Sequence, residues 1–396
     1  MYRLMARITN PLTKVRKRLE PCCFSSANFK ELPKDKDKVT EPNRHLNFYR
    51  KNIPIQRETV PKVDEALDLA CERLGLDRES VHGFVENDPS MNAACYASIR
   101  GNAVVTVNSG LIEKLSMPEI LYIMGHELGH YIMPLPTARV PNGRGGVRPA
   151  SMEDAIIQRH LEISMDRFGL VACRDVDVAC MAALKIQSGL GSEFIRADLQ
   201  IFARETFKGY VKDYTEYEEE AFSSHPYVYA RIRGLHLFAQ TSEYLELTGQ
   251  PGKGRALDAV NAEVLKDMED TLDYFAKKLM EDALREFSQA IAAINLDMDG
   301  TVELSRYVTS LIPAPELDAV KLIAKSLSKV PLEERGKVAT GHFDVLANKA
   351  VNFCPRRTIA HLAQLLEQLK GTSVHPFAED ASAQFQVKFK EHFRIA

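Results

Sequence analysis

No stretch of this 396-residue chain approaches the roughly 18 uninterrupted apolar residues that a bilayer-crossing helix requires, so no membrane span is expected. No CxxC pair occurs either. The seven cysteines (Cys22, Cys23, Cys71, Cys95, Cys173, Cys180 and Cys354) are odd in number and scattered. That pattern argues against a disulfide framework or a zinc ribbon and favours a reducing compartment. Basic excess is also missing: 51 Lys and Arg stand against 54 Asp and Glu, a formal net charge of −3. A dedicated nucleic-acid binder would carry a strong positive surplus, so no nucleic-acid partner is expected. No secretory apolar segment opens the chain. Residues 1–20 hold Arg3, Arg7, Lys14, Arg16, Lys17 and Arg18 beside Glu20. Few serines and the interruption at Pro11 favour a solvated basic arm over a mitochondrial transit peptide. The cytoplasm is therefore the expected location, with the mitochondrion as the alternative.

What is present is the ordinary balance of a globular protein, 45% apolar and 27% charged residues, in a chain long enough for a sizeable core. Residues 1–54 read as a polar lead-in that includes Lys34-Asp35-Lys36-Asp37-Lys38. From Val60 to Leu74, the spacing of Val60, Val63, Leu67, Ala70 and Leu74 predicts an amphipathic helix. Val81–Val85 and Ala103–Val107 read as strands, and Asn92–Ala97 as small residues leading to a turn at Arg100-Gly101-Asn102. Ser116 and Glu119 have capping-box spacing, which predicts a helix to about Ile132, stopped by Pro134 and Pro136. A flexible loop at 142–149 precedes a second such helix, from Ser151 with Asp154 three residues on, ending at Gly169. Further helices fit 177–188, 193–213 and 226–246. Gly249–Arg255 reads as a linker that separates a domain at 55–248 from an all-helical region at 256–396.

The chemistry concentrates in Gly125-His126-Glu127-Leu128-Gly129-His130. On a helix His126 and His130 lie one turn apart on one face, the placement two imidazoles need to share a zinc. Glu127, beside that face, can reach a water on the metal as general base. Gly125 and Gly129 cost roughly 1 kcal/mol each inside a helix relative to Ala, so another backbone is expected close by. A catalytic zinc needs a third protein ligand and an open position. Glu162 alone reads as an exposed helix acid. Asp166 four residues on changes that, giving the pattern of a ligating glutamate and an aspartate that orients a zinc histidine. Ser224-His225-Pro226 opens a later helix, and His225 reads either as a donor to the oxyanion of peptide hydrolysis or as a cap.

Three segments, His126–His130, Glu162-Ile163-Ser164-Met165-Asp166, and His225-Pro226 with Arg231-Ile232, together resemble the signatures of the gluzincin family of CAAX prenyl endopeptidases and HtpX-like proteases. Asn92-Ala93 and the strand Gly101–Val107, leading to Ser109-Gly110-Leu111, are similar to the family's substrate edge strand. The resemblance covers roughly residues 55–245. It implies His126, His130 and Glu162 as ligands of one zinc per chain and Glu127 as catalytic base. It also implies Asp166 as the carboxylate behind a ligand, His225 as transition-state stabiliser, and Arg231 as a substrate-side or structural charge. Ala103, Val104, Val105, Thr106 and Val107 become the strand along which a protein or peptide substrate lies. Integral-membrane members carry spanning helices that this chain lacks, so the prenylated-substrate chemistry is not carried over.

The expected fold is α+β and predominantly helical. A zincin-like domain combines a small edge-stranded sheet with two zinc-bearing helices, and an all-α C-terminal region follows. Asn295–Glu303 resembles the start of a calcium loop, but Arg306 stands where a bidentate glutamate is required, and a turn is the better reading. The competing function is a non-catalytic, zinc-stabilised scaffold that binds partners through residues 256–396. Glu127 speaks against it, because a structural zinc needs no such carboxylate. A different zinc hydrolase on the same helix is the third reading. The oligomeric state is not legible.

Overall fold

The computed structural model describes residues 11–24, 44–97, 102–133, 139–141, 147–195, 198–199, 218–250 and 252–282. In chain order the elements are α1 (Pro11–Arg18), α2 (Arg44–Lys51), β1 (Ile53–Pro54), α3 (Pro61–Leu74), β2 (Val81–Glu86), β3 (Ala93–Ala97) and β4 (Ala103–Asn108). Then come α4 (Ser109–Lys114), α5 (Met117–Ile132), β5 (Arg139–Pro141), β6 (Val147–Pro149), α6 (Met152–Cys173) and α7 (Val176–Ser188). The last are α8 (Glu218–Ala221), α9 (Val228–Phe238), α10 (Ser242–Leu247) and α11 (Leu257–Glu269), and residues 272–282 are also helical. The described chain is thus mostly helical with one four-stranded sheet. It forms two compact units. The first comprises Met1–Pro136, Arg159–Lys208 and His225–Asp270, and the second Thr137–Gln158, Gly209–Ser224 and Thr271–Ala396.

In the first unit, α3 forms where the periodicity places it. Pro61 starts the helix, and Val63, Ala66, Leu67, Ala70, Cys71 and Leu74 bury one face. Each fully buried leucine contributes about 1.5–3 kcal/mol of transfer energy. Gly75 ends it at φ 75°, a left-handed cap that costs a glycine nothing. The sheet order is β1-β2-β4-β3, with β2 parallel to β4 and β3 antiparallel to it. This corrects the edge-strand expectation. Ala103, Val104, Val105, Thr106 and Val107 lie in an interior strand, hydrogen-bonded on both sides and buried throughout. Their near-continuous apolar run is what a strand covered on both faces requires. Beside it, β3 forms one edge of the sheet, where Ala93 pairs with Val107 and Cys95 with Val105.

Two other expectations change. The basic arm is built into the unit in part, since Val15, Leu19, Cys22 and Phe24 are buried. Likewise 249–255 is no boundary between units. Arg255 N–H donates to Gln240 O at 2.8 Å, and α11 continues in the same unit, with Val260, Val264 and Met268 clustered against Ile163, Leu237 and Phe24. The helix expected at 226–246 is broken into α9 and α10 at Thr241, whose hydroxyl caps α10 through Tyr244 N–H. Most of the helix expected at 193–213 lies outside the described residues, as do 142–146, 283–396, the loop at 295–306 and Cys354.

Of the two glycines of α5, Gly125 admits a second backbone, whereas Gly129 makes room for the side chains of Met165 and Phe168. A Cβ on Gly125 would sit 2.4 Å from the Ala172 Cβ and 3.0 Å from the Gly169 Cα, and one on Gly169 would sit 2.7 Å from the Tyr122 ring. Gly169 is therefore a point of contact inside α6 and not its end. In the second unit, β5 and β6 pair antiparallel with Val140 opposite Arg148, whose guanidinium lies 4.0 Å from the Phe222 ring centroid. Ser151 and Asp154 make the expected hydrogen bonds where α6 begins.

Candidate metal centre

The capping box at the start of α5 is complete, with Glu119 accepting from Ser116 N–H at 2.7 Å. Lys185 of α7, itself buried, pairs with the same carboxylate at 2.6 Å. A helix held this firmly at its start presents Tyr122, His126, Glu127 and His130 in fixed phase. Opposite, the close approach at Gly125 and Gly169 lets α6 bring in Glu162. His126 Nε2 lies 3.3 Å from Glu162 Oε2, and His130 Nε2 lies 3.6 Å from Oε1. The two imidazole rings stand 5.3 Å apart at 74°. His126, Glu127 and Glu162 are buried and His130 is half-buried.

Behind His126 is a saturated carboxylate. Asp166 accepts from Tyr122 Oη at 2.7 Å and from both Arg231 Nε and Nη2, at 2.9 and 2.6 Å, and it meets His126 Nδ1 at 3.1 Å. That contact orients the ring: Nδ1 donates to Asp166, and Nε2 is turned toward Glu162. Burial disfavours the Asp166 carboxylate, but Arg231 and His126 outweigh it and hold its pKa below the usual carboxylate range. For His126, burial opposes the charged ring, yet Asp166 and Glu162 raise it to about 10. Burial likewise works against Glu162, whose pKa the charges of His225, His126 and His130 hold well down. Glu127 goes the other way. Burial, partly offset by His126, pushes its carboxyl up to about 7. His225 precedes α9, its side chain 58% exposed, with Nε2 3.5 Å from Glu162 Oε2.

The donor set suits a metal ion. His126, His130 and Glu162 each offer one ligand atom, all within 4.8 Å of one another, and no other such trio occurs among the described residues. Glu162 Oε2 is buried without a hydrogen-bond donor, an oxygen that an ion would satisfy. Two imidazoles and a carboxylate match the three protein ligands of catalytic zinc sites.

Residues 59–134 match the model of peptidase family M48, an interval that contains His126, Glu127 and His130. The plastoglobule-localized metallopeptidase 48, chloroplastic, of Arabidopsis thaliana is 24% identical over 230 residues, a match covering 53% of this chain. The chain spans 66% of that protein, just under two thirds of its length. No solved structure matches. Among the described residues no helix is long and apolar enough to cross a membrane.

The structure brings together the side chains expected at the site, those of His126, Glu127, His130, Glu162, Asp166, His225 and Arg231, while Ala103–Val107 lie in the interior strand β4. Arg231 faces Asp166 as a bidentate partner. Tyr122 was not expected. It reads as one more apolar core residue of α5, and only its position one turn before His126 hinted that its hydroxyl would meet the same carboxylate.

Proposed function

We propose that this chain is a zinc-dependent endopeptidase. The observation that carries the reading is the convergence of two imidazole nitrogens and the unsatisfied Glu162 oxygen within 4.8 Å, with Glu127 buried next to them in sequence. His126, His130 and Glu162 hold one zinc per chain. When bound, zinc supplies Lewis acidity to the scissile carbonyl and lowers the pKa of water to about 7. The rest falls to the chain's own groups. Glu127, with its pKa raised by burial to about 7, takes a proton from the attacking water and returns it to the leaving amine. His225, exposed at the mouth of the site, donates an N–H to the oxyanion. Asp166 does not touch substrate. Held by Tyr122 and Arg231, it keeps His126 in one tautomer.

The substrate is an extended or unfolded protein segment. It adds along β3, which borders α5 and pairs with β4 through one side alone among the described strands. Backbone hydrogen bonds would supply most of the affinity, giving broad sequence tolerance. Cytoplasmic location is proposed on the same footing, from six described cysteines that are all free thiols.

Metal content of the purified protein, measured beside casein cleavage by wild type and Glu127→Gln, tests the reading. It requires about one zinc per chain in both proteins and cleavage in the first alone. Zinc-free wild type that still cleaves casein, or equal cleavage by both proteins, refutes it.

A further inference from the structure

Residues 15–24 lie outside the chemistry, yet they touch both helices that carry the metal-ligating trio. Arg16 Nε donates to Ile132 O at 2.6 Å, two residues beyond His130 and at the last turn of α5. That carbonyl is one of four with no intrahelical donor, and a cation there also complements the negative end of the helix. Cys23 Sγ sits 3.9 Å from Met133 Sδ just past the same end. On α6, Phe24 N–H donates to the buried Ser164 Oγ at 3.0 Å, and the Phe24 ring meets His160 edge-on at 5.3 Å. Ser164 and His160 lie two residues after and two before Glu162. On an α-helix that offset is about 160° around the axis, so the segment backs α6 on the side away from the metal trio. Arg18 Nη2 anchors the same stretch to Arg73 O at 2.9 Å.

We infer that residues 15–24 act as a brace that sets the separation of α5 and α6 and so positions the zinc ligands, Arg16 and Phe24 being its two contact points. The inference rests on the zinc reading above. A catalytic constellation must be held to about 0.5 Å, and these contacts grip the end of α5 and the back of α6.

The test uses Arg16→Met, which keeps the stem and loses the donor, Ser164→Ala, which removes the Phe24 partner, and Arg16→Lys as the conservative control. Zinc affinity of each folded protein is measured by competition with a chromophoric chelator, and ligand geometry by the visible spectrum of the cobalt(II)-substituted protein. Arg16→Met and Ser164→Ala should each weaken zinc by about tenfold and alter the cobalt bands, with Arg16→Lys recovering part of the loss. Lower thermal stability with zinc affinity within about twofold of wild type would reduce the segment to ordinary packing and overturn the brace. If wild type binds no zinc, the functional reading fails separately. Hydrogen exchange of the metal-free chain then decides. Amides in 128–133 and 160–166 should exchange about tenfold faster in the two variants, and unchanged rates overturn the brace.

Discussion

Glu162 and Asp166 stand one turn apart on α6, both buried carboxylates, yet the regions around them are built on opposite principles. Around Asp166 the donors are complete, with a tyrosine hydroxyl, an imidazole and a bidentate guanidinium all engaged. Around Glu162 three imidazoles approach to 3.3–3.6 Å, and Oε2 makes no hydrogen bond. A saturated carboxylate serves the fold and fixes its neighbours. An unsaturated one is held in reserve for something that the polypeptide does not supply.

If that contrast is right, substitutions on the two sides fail in different currencies. Glu162→Ala should show the largest effect, losing most bound zinc and with it turnover, while the metal-free chain melts close to wild type. Full zinc occupancy in that variant would break the comparison. Glu127→Gln should keep zinc and lose about 10²–10⁴-fold in kcat. Loss of metal together with activity would move Glu127 among the ligands. His225→Ala and His225→Phe should each keep zinc, hold KM within a small factor and lose about 10²–10³-fold in kcat. Normal turnover would return His225 to a capping role. Asp166→Asn belongs to the other side: it leaves the buried Arg231 cation poorly paired and should destabilise the metal-free chain by about 3–5 kcal/mol, read by denaturant titration. Tyr122→Phe removes one of several donors to the same carboxylate, so about 1 kcal/mol of stability is expected to go, with zinc retained.

The side of the contrast that gathers the His126, His130 and Glu162 cluster was largely legible in the sequence. His126, Glu127 and His130 follow from helical phase, and Glu162 with Asp166 from a single i, i+4 offset; such signals are local and survive without a structure. The capping pairs Ser116–Glu119 and Ser151–Asp154 are equally local, and both formed. The supporting side depends on distant partners. Arg231 meets Asp166 across 65 residues and Tyr122 meets it across 44, separations that no periodicity encodes. Strand order is non-local in the same way. Ala93–Ala97 lacks the β-branched residues that mark a strand, so the edge passed to the more obvious Ala103–Val107, whose uniform burial is instead the mark of an interior position. Gly169 read as a helix end because a close helix crossing and a C-cap ask for the same residue. Val15, Leu19, Cys22 and Phe24 were masked by the six basic residues around and before them, and their partners on α5 and α6 are more than 100 residues away.

That last separation has a consequence for synthesis. The Arg16 partner, Ile132, follows it by 116 residues, and the Phe24 partner, Ser164, by 140. At about 5–20 residues per second, Arg16 and Phe24 are made roughly 6–30 s before these partners on α5 and α6 exist. For that interval the Phe24 ring, beside the basic run, lacks its α6 partners. This is the kind of stretch that holdase chaperones bind. The yield of active protein should therefore depend on translation rate between codons 25 and 164, a vulnerability that the finished molecule, with Phe24 seated on α6, no longer displays.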